Sequence, residues 1–167
     1  MKQKIFYING VGGSGKDTFV DLVGEFVQVW RLSTIDEVKR IAIDHFGWDS
    51  VKDDKGRALL SAIKHAWANY NNGPALTIGE QLNSLGSSVG AVFIMVREFD
   101  EMIAMQKLYG GQTLNVLGRK SKPCKTEQAF LDSVPTGYRY DFEIDNRHSE
   151  GSLAWKAYYF ATNSIMD

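Results

Sequence analysis

The sequence predicts a three-layer α/β fold with a mostly parallel five-stranded sheet. Short apolar segments alternate with helical patterns along the 167 residues, and residues 91–96 are apolar throughout, as in a strand buried on both faces. The hydrophobic content of 44% suits one compact domain with a substantial core. We therefore expect residues 1–167 to form a single domain with right-handed crossovers.

The first elements are predicted from periodicity and their boundaries. The apolar run 4–9 favours a strand, and a glycine-rich loop separates it from a helical pattern over 15–26. Residues 27–32 alternate apolar and polar side chains, which is typical of a second strand. Apolar residues then recur at helical spacing over 36–47.

The middle of the chain is predicted to be mostly helical. A long helical pattern covers 57–70 and stops at the cluster Asn71-Asn72-Gly73-Pro74, and another helical segment follows at 77–87. The strand at 91–96 comes next. A helix is expected over 97–109, closed by two glycines.

The last elements are two strands and a closing helix. Strands are predicted at 112–117 and 140–144, and helical spacing covers 153–165. Between the two strands, residues 118–137 are polar and could form a mobile flap. The polar or charged residues Arg97, Arg119 and Asn146 then fall at the carboxyl ends of strands, where ligands gather in parallel sheets.

Composition argues against several classes of protein. The net charge is −1 with scattered basic residues, so the electrostatic footprint of a nucleic-acid-binding protein is missing. The single cysteine, Cys124, excludes an internal disulfide. We expect no membrane span, because no apolar run approaches about 20 residues, and we expect a cytoplasmic protein because no signal-type leader precedes the first strand.

The loop after the first strand carries the most specific motif. From Gly10 to Thr18 it has the sequence Gly-Val-Gly-Gly-Ser-Gly-Lys-Asp-Thr, whose glycine and lysine spacing is that of a phosphate-binding P-loop. Main-chain N–H groups and the positive end of the next helix would converge on a polyphosphate, and Lys16 would reach its β- and γ-phosphates. The alternative is a glycine-rich turn with an exposed lysine. The predicted ATP-binding residues in this loop are Gly10, Gly12, Gly13, Ser14, Gly15, Lys16, Asp17 and Thr18.

Four segments in sequence order resemble the P-loop nucleoside monophosphate kinases, and in particular the phage-type deoxynucleoside monophosphate kinases. They are the loop 10–18 and the segments 33–39, 97–101 and 141–146. Phosphomevalonate kinase, with a similar Gly-Lys-Asp loop, is a relative. The resemblance implies a P-loop kinase fold with a helical acceptor-binding region at about 35–90 and a lid at about 118–137.

The resemblance also implies roles for single residues. Arg97 would meet the phosphate of the acceptor, and Lys39 would lie close to the acceptor site. Arg119 and Lys120 would supply cations from the lid, and Asn146 matches the loop that packs beside adenine. We therefore predict Lys16, Arg97 and Arg119 as catalytic residues and Lys120 and Asn146 as further ATP-binding residues.

Arg57 joins Lys39 and Arg97 as a predicted acceptor-binding residue, because it lies between the second and third strands, where the acceptor is expected. Lys39 and Arg57 both lie in helical patterns and could instead belong to solvated helix faces. Asn146 could merely shape a turn.

The predicted cofactor is Mg²⁺ with ATP. Family members commonly carry an acidic residue near the end of the third strand, where this chain has Met95, so Asp17 is the candidate for holding the metal directly or through water. The alternative role of Asp17 is that of a carboxylate favoured by the dipole at a helix N-terminus.

The predicted function is transfer of the γ-phosphate of ATP to a nucleoside or deoxynucleoside 5′-monophosphate. Two alternatives stay open: a kinase for another small metabolite such as phosphomevalonate or dephospho-CoA, and a nucleotide-binding module without catalysis. The expected partners are ATP and the small acceptor, and the protein would be a monomer or a homodimer.

Overall fold

A computed structural model describes residues 3–86, 90–118, 133–147 and 150–166 of the chain. Its strands are β1 (Lys4–Asn9), β2 (Val29–Ser33), β3 (Ala91–Met95), β4 (Gln112–Leu117) and β5 (Phe142–Asp145). They form one sheet in the order β2-β3-β1-β4-β5, and β1 pairs in parallel with β3 and β4, as β4 does with β5. The predicted mostly parallel five-stranded sheet is confirmed, with β1 at its centre.

The described helices follow the predicted order along the chain. They are α1 (Lys16–Gly24), α2 (Asp36–Phe46), α3 (Asp54–Asn71), α4 (Gly73–Ser84), α5 (Phe99–Tyr109) and α6 (Glu150–Phe160), and a π-helical turn (Ala161–Ile165) follows α6. None of the helices in the described ranges is both long enough and apolar enough to cross a membrane.

Three helices begin earlier than predicted: α6 begins at Glu150 rather than at 153, and the early starts of α3 and α4 have local causes. The α3 helix begins at Asp54 because the Asp53 carboxylate accepts a hydrogen bond of 2.7 Å from the Gly56 N–H and caps the helix. The α4 helix begins at Gly73 rather than at 77, since Pro74 occupies its first turn, where the missing N–H costs nothing. Only Asn72, with φ 57°, therefore separates α3 from α4.

Helices cover both faces of the sheet. Phe6 and Ile8 of β1 are buried in a cluster that includes Phe19 from α1 and Phe160 from α6. Tyr7 points to the opposite face, because side chains alternate along a strand, and its hydroxyl donates a hydrogen bond of 2.9 Å to the Met105 carbonyl of α5. The predicted three-layer arrangement is confirmed.

The chain groups into two compact units. The first comprises Met1–Arg31 and Gly86–Asp167, and it holds α1, α5, α6 and most of the sheet. The second comprises Leu32–Leu85 and holds α2, α3 and α4. Its core is a small cluster made of Val38, Ala42 and Leu60, with Trp48 and Trp67 packed against it.

Candidate nucleotide-binding site

The glycine-rich loop connects the carboxyl end of β1 to the first residue of α1. Gly13 has φ 75° and Gly15 has φ 92°, a left-handed region that other residues rarely adopt. The Ser14 N–H donates a hydrogen bond of 3.0 Å to the Val11 carbonyl, so the loop turns back on itself before α1 begins at Lys16. The predicted strand, loop and helix context of a P-loop is present.

Asn9 holds the start of the loop against the neighbouring strand. Its side-chain amide donates a hydrogen bond of 2.8 Å to the Val96 carbonyl, and its side-chain oxygen accepts one from the Gly10 N–H. Asn9 is buried, so both of its polar groups find partners away from water. These hydrogen bonds therefore join the ends of β1 and β3. Arg97 is the next residue after Val96.

Gly118, the residue after β4, packs on the other side of the loop. A Cβ at Gly118 would overlap the Cα of Ser14, so any larger residue would displace the loop or the strand end. Ser14 is completely buried, and its hydroxyl has no hydrogen-bond partner in the described part of the chain.

Asn146, the residue after β5, reaches the loop from the edge of the sheet. Its side-chain amide donates a hydrogen bond of 2.8 Å to the Ser14 carbonyl, and its main-chain N–H donates one of 2.7 Å to the Leu117 carbonyl. A Cβ at Gly15 would overlap that side-chain amide. The carboxyl ends of β1, β3, β4 and β5 therefore meet around one loop.

The two charged residues at the start of α1 have little contact with the rest of the described chain. Lys16 is half-buried, and its ammonium group makes no hydrogen bond or ion pair within those residues. Asp17 and Thr18 are exposed. Arg31 donates a hydrogen bond of 3.1 Å to the main-chain carbonyl of Asp17 and forms an ion pair with Asp21, which leaves the Asp17 carboxylate itself without a described partner.

This arrangement is suited to an anion. Main-chain N–H groups of a glycine-rich loop, the amino end of a helix and a lysine with no counterion among the described residues all favour a polyphosphate. The donor set also fits Mg²⁺, which usually takes one or two carboxylates and completes its shell with water and substrate phosphates. Asp17 would be that carboxylate, because it lies in the first turn of α1 next to Lys16. Among the described residues, no cluster of three or more His, Cys, Asp or Glu side chains could hold a metal.

Arg97 and Met95 lie at the end of β3 in different environments. Arg97 is exposed and makes no hydrogen bond or ion pair with the described residues. Met95 is half-buried and packs against the core cluster that contains Phe6 and Phe160. The position that is commonly acidic in the resembled family therefore contributes to packing here.

Lys39 and Arg57, the two other predicted acceptor residues, belong to the unit Leu32–Leu85. The Lys39 ammonium donates a hydrogen bond of 2.8 Å to the carboxylate of Asp36, one helical turn earlier, while Arg57 is exposed in the first part of α3. Their roles toward an acceptor stay predictions. Arg119 and Lys120 lie outside the described residues, as does most of the predicted lid.

Sequence reasoning missed two residues that shape the loop. Asn9 ends the apolar run 4–9 and Gly118 begins the polar segment 118–137, and neither is a predicted site residue. Their residue types could have indicated these roles, since a buried amide side chain can hold main-chain groups in place and a glycine permits close approach of another part of the backbone. The contacts themselves join residues that are far apart in the sequence, such as Asn9 and Val96.

No family model and no curated protein gives a significant match to the sequence. Solved structures resemble its fold. TT1252 from Thermus thermophilus has a TM-score of 0.61 at 15% identity, with 99% of this chain and 99% of that chain covered. A gluconokinase from Sinorhizobium meliloti 1021 has a TM-score of 0.53 at 16% identity, with 98% of this chain and 94% of that chain covered.

At these identities the likeness shows the fold alone. The chain therefore shares the α/β fold of these two proteins, and its glycine-rich loop lies at the carboxyl end of the central strand.

Proposed function

We propose that this protein is an ATP-dependent small-molecule kinase that phosphorylates a nucleoside or deoxynucleoside 5′-monophosphate. The observation that carries the proposal is the loop at the end of β1, in which Gly13 and Gly15 take left-handed conformations and Lys16 begins a helix without a described counterion. Such a loop binds the phosphates of a nucleotide through its main-chain N–H groups.

Phosphoryl transfer depends mainly on positioning and on neutralising charge. An oxygen of the acceptor attacks the γ-phosphorus of ATP, the bond from that phosphorus to the β–γ bridging oxygen breaks, and ADP leaves. Lys16 would neutralise charge on the β- and γ-phosphates. Mg²⁺, held through Asp17, would neutralise further charge on the same phosphates.

The proposed acceptor carries a phosphate of its own. Arg97 supports this choice, because an exposed arginine without a described counterion follows a strand end beside the loop. The planar guanidinium can bind a phosphate through two parallel hydrogen bonds. Four segments of the chain resemble nucleoside monophosphate kinases and occur in the same order, which supports a nucleotide acceptor. Lys39 and Arg57 would then be further acceptor contacts. Arg119 and Lys120 would be the cations of the lid.

A second candidate is a kinase for a sugar acid or another small metabolite. The fold neighbour that is a gluconokinase favours it, since that protein has a comparable fold and length. A hydroxylated acceptor without a phosphate would depend less on Arg97 than a monophosphate does.

The test is a panel of acceptors with purified protein, ATP and Mg²⁺. The panel contains the common ribo- and deoxyribonucleoside monophosphates, base-modified monophosphates, gluconate, phosphomevalonate and dephospho-CoA, and phosphorus NMR identifies each product. We expect a nucleoside diphosphate to form. Transfer only to gluconate or another metabolite would favour the second candidate, and tight ATP binding without transfer to any acceptor would favour a non-catalytic module.

A further inference from the structure

We propose that Asn146 is a positioning residue that fixes the peptide between Ser14 and Gly15, so that the Gly15 N–H faces the phosphates. This inference rests on the proposed ATP-binding role of the loop. It assigns Asn146 to the main chain of the loop rather than to adenine.

The first step of the argument is the geometry of the peptide. In a trans peptide the carbonyl and the N–H point in opposite directions. Because the Ser14 carbonyl accepts the hydrogen bond from Asn146, the Gly15 N–H points away from Asn146. No described residue accepts a hydrogen bond from that N–H, so it is available to a ligand.

The second step is that this peptide needs an external restraint. Gly15 has φ 92° and no side chain, so rotation of the peptide between Ser14 and Gly15 meets little steric resistance from Gly15 itself. A rotated peptide would present a carbonyl oxygen to the phosphates, and two negative groups would then oppose each other. The hydrogen bond from Asn146 stabilises the productive orientation.

The third step is that Asn146 itself is held in place. Its N–H donates to the Leu117 carbonyl at 2.7 Å, which ties it to the end of β4. The preceding residue, Asp145, accepts hydrogen bonds from Arg147 on its carboxylate and from Lys156 on its carbonyl. The Asp145 carboxylate also raises the pKa of the Arg147 guanidinium above its usual value. The segment after β5 is therefore a fixed support for the loop.

The fourth step is the match between Asn146 and Gly15. The side-chain amide of Asn146 occupies the space that a Cβ at Gly15 would need. Glycine at position 15 thus permits both the left-handed backbone and the approach of the amide. The two residues act as a pair, although 131 positions separate them in the sequence.

The experiment compares ATP with a ligand that has no base. Isothermal titration calorimetry with Mg²⁺ measures binding of ATP and of inorganic tripolyphosphate to the full chain and to Asn146→Ala and Asn146→Leu. Asn146→Leu keeps about the same side-chain volume, has no N–H donor and adds no charge beside the phosphates, so it is the second variant if the alanine variant does not fold. Asn163→Ala is the matched control, because the Asn163 amide also donates a 2.8 Å hydrogen bond to a main-chain carbonyl but Asn163 is an exposed residue of the π-helical turn.

We expect both Asn146 variants to bind ATP and tripolyphosphate about fivefold to tenfold more weakly, by the same factor for the two ligands, with Asn163→Ala unchanged. In amide NMR spectra of the unliganded protein, the Gly15 resonance should shift or broaden in the Asn146 variants alone. Weaker binding of ATP with unchanged binding of tripolyphosphate would overturn the proposal in favour of a contact with adenine.

Unchanged binding of both ligands would overturn it as well. If the unsubstituted protein binds ATP but too little tripolyphosphate to measure, an unchanged Gly15 resonance in Asn146→Ala overturns the proposal. If the unsubstituted protein binds neither ligand, the proposed function fails, and the Gly15 resonance still reports whether Asn146 fixes the peptide.

Discussion

The side-chain amide of Asn146 donates a 2.8 Å hydrogen bond to the main-chain carbonyl of Ser14, across 132 residues of sequence. The conformation of the glycine-rich loop is therefore not a local property of its own sequence. It also depends on the ends of three other strands, through Val96, Gly118 and Asn146. Changes at these distant positions should alter nucleotide binding.

Replacing Lys16 with alanine should abolish activity without unfolding the protein. The side chain is half-buried and has no described partner, so the free energy of unfolding should change by less than about 0.5 kcal/mol. Loss of a cation at the transferring phosphoryl group should lower kcat by about a hundredfold or more. Lys107→Ala, at an exposed position near the end of α5, is the control. A large fall in melting temperature of Lys16→Ala would show that Lys16 has a structural role instead.

Replacing Arg97 with alanine should weaken the acceptor step. An arginine bound to a phosphate contributes charged hydrogen bonds of about 1.5–3 kcal/mol each, so KM for the acceptor should rise by about tenfold to a hundredfold. KM for ATP should stay nearly constant. Initial rates at varied acceptor and ATP concentrations measure both, with Arg139→Ala, an exposed arginine after the predicted lid, as the control. If Arg97→Ala and the unsubstituted protein had the same KM for the acceptor, Arg97 would not bind the acceptor.

Replacing Asp17 with asparagine should raise the Mg²⁺ concentration that half-maximal activity requires. The matched control is Asp100→Asn, because Asp100 is also exposed in the first turn of a helix. Both substitutions should lose the same favourable interaction with the helix dipole, of about 0.3–1 kcal/mol. Only Asp17→Asn should change the Mg²⁺ dependence. If the two variants required the same Mg²⁺ concentration, Asp17 would interact only with the helix dipole and would not hold the metal.

Replacing Gly118 with alanine should displace the loop. The added Cβ would overlap the Cα of Ser14, and neither backbone can move without disturbing a strand end, so we expect a loss of stability of about 1–3 kcal/mol and weaker ATP binding. Gly110→Ala separates the two effects, because Gly110 has φ 70° but open space around it. That variant should lose stability through backbone strain and keep its affinity for ATP. Chemical denaturation and calorimetry give the two quantities.

Replacing Tyr7 with phenylalanine tests the packing of α5 on the sheet. The variant should be about 1 kcal/mol less stable near neutral pH, because the buried Met105 carbonyl loses its donor. Burial and the nearby Tyr109 raise the pKa of Tyr7 above its usual value of 10.0. As the pH rises above that value, the unfolded chain releases a proton that the folded chain keeps, so stability falls.

The phenylalanine variant lacks this proton, and the stability difference between the two proteins should therefore narrow at alkaline pH. Urea denaturation at a series of pH values measures it. A difference that stays constant through the titration range would mean that Tyr7 titrates normally in the folded state.

The order and type of the elements follow from the sequence because their signals are local. The run 4–9 and the apolar segment at 91–96 carry the periodicity and burial of parallel strands, and the structure places β1 and β3 there. The start of α4 was misplaced because Pro74 marks the end of one helix or the first turn of another, and only the chain direction after Asn72 decides between them.

The candidate site likewise has one part that the local sequence predicts and another part that only the fold brings together. The motif from Gly10 to Thr18 identifies the loop, because its glycines and its lysine have fixed spacing. The contact between Asn146 and Ser14 requires the register of β5 beside β4, which no local pattern contains. The sequence thus predicted that Asn146 lies at the functional edge of the sheet, while only the fold shows that it donates to the Ser14 carbonyl.

Titration of the unsubstituted protein and of Lys16→Ala with ATP and Mg²⁺ tests the central claim most directly. If the loop from Gly10 to Thr18 binds the triphosphate, calorimetry will give saturable binding with one site per chain, and Lys16→Ala will bind at least about tenfold more weakly. No measurable binding by the unsubstituted protein, or equal binding by the folded Lys16→Ala variant, would contradict it.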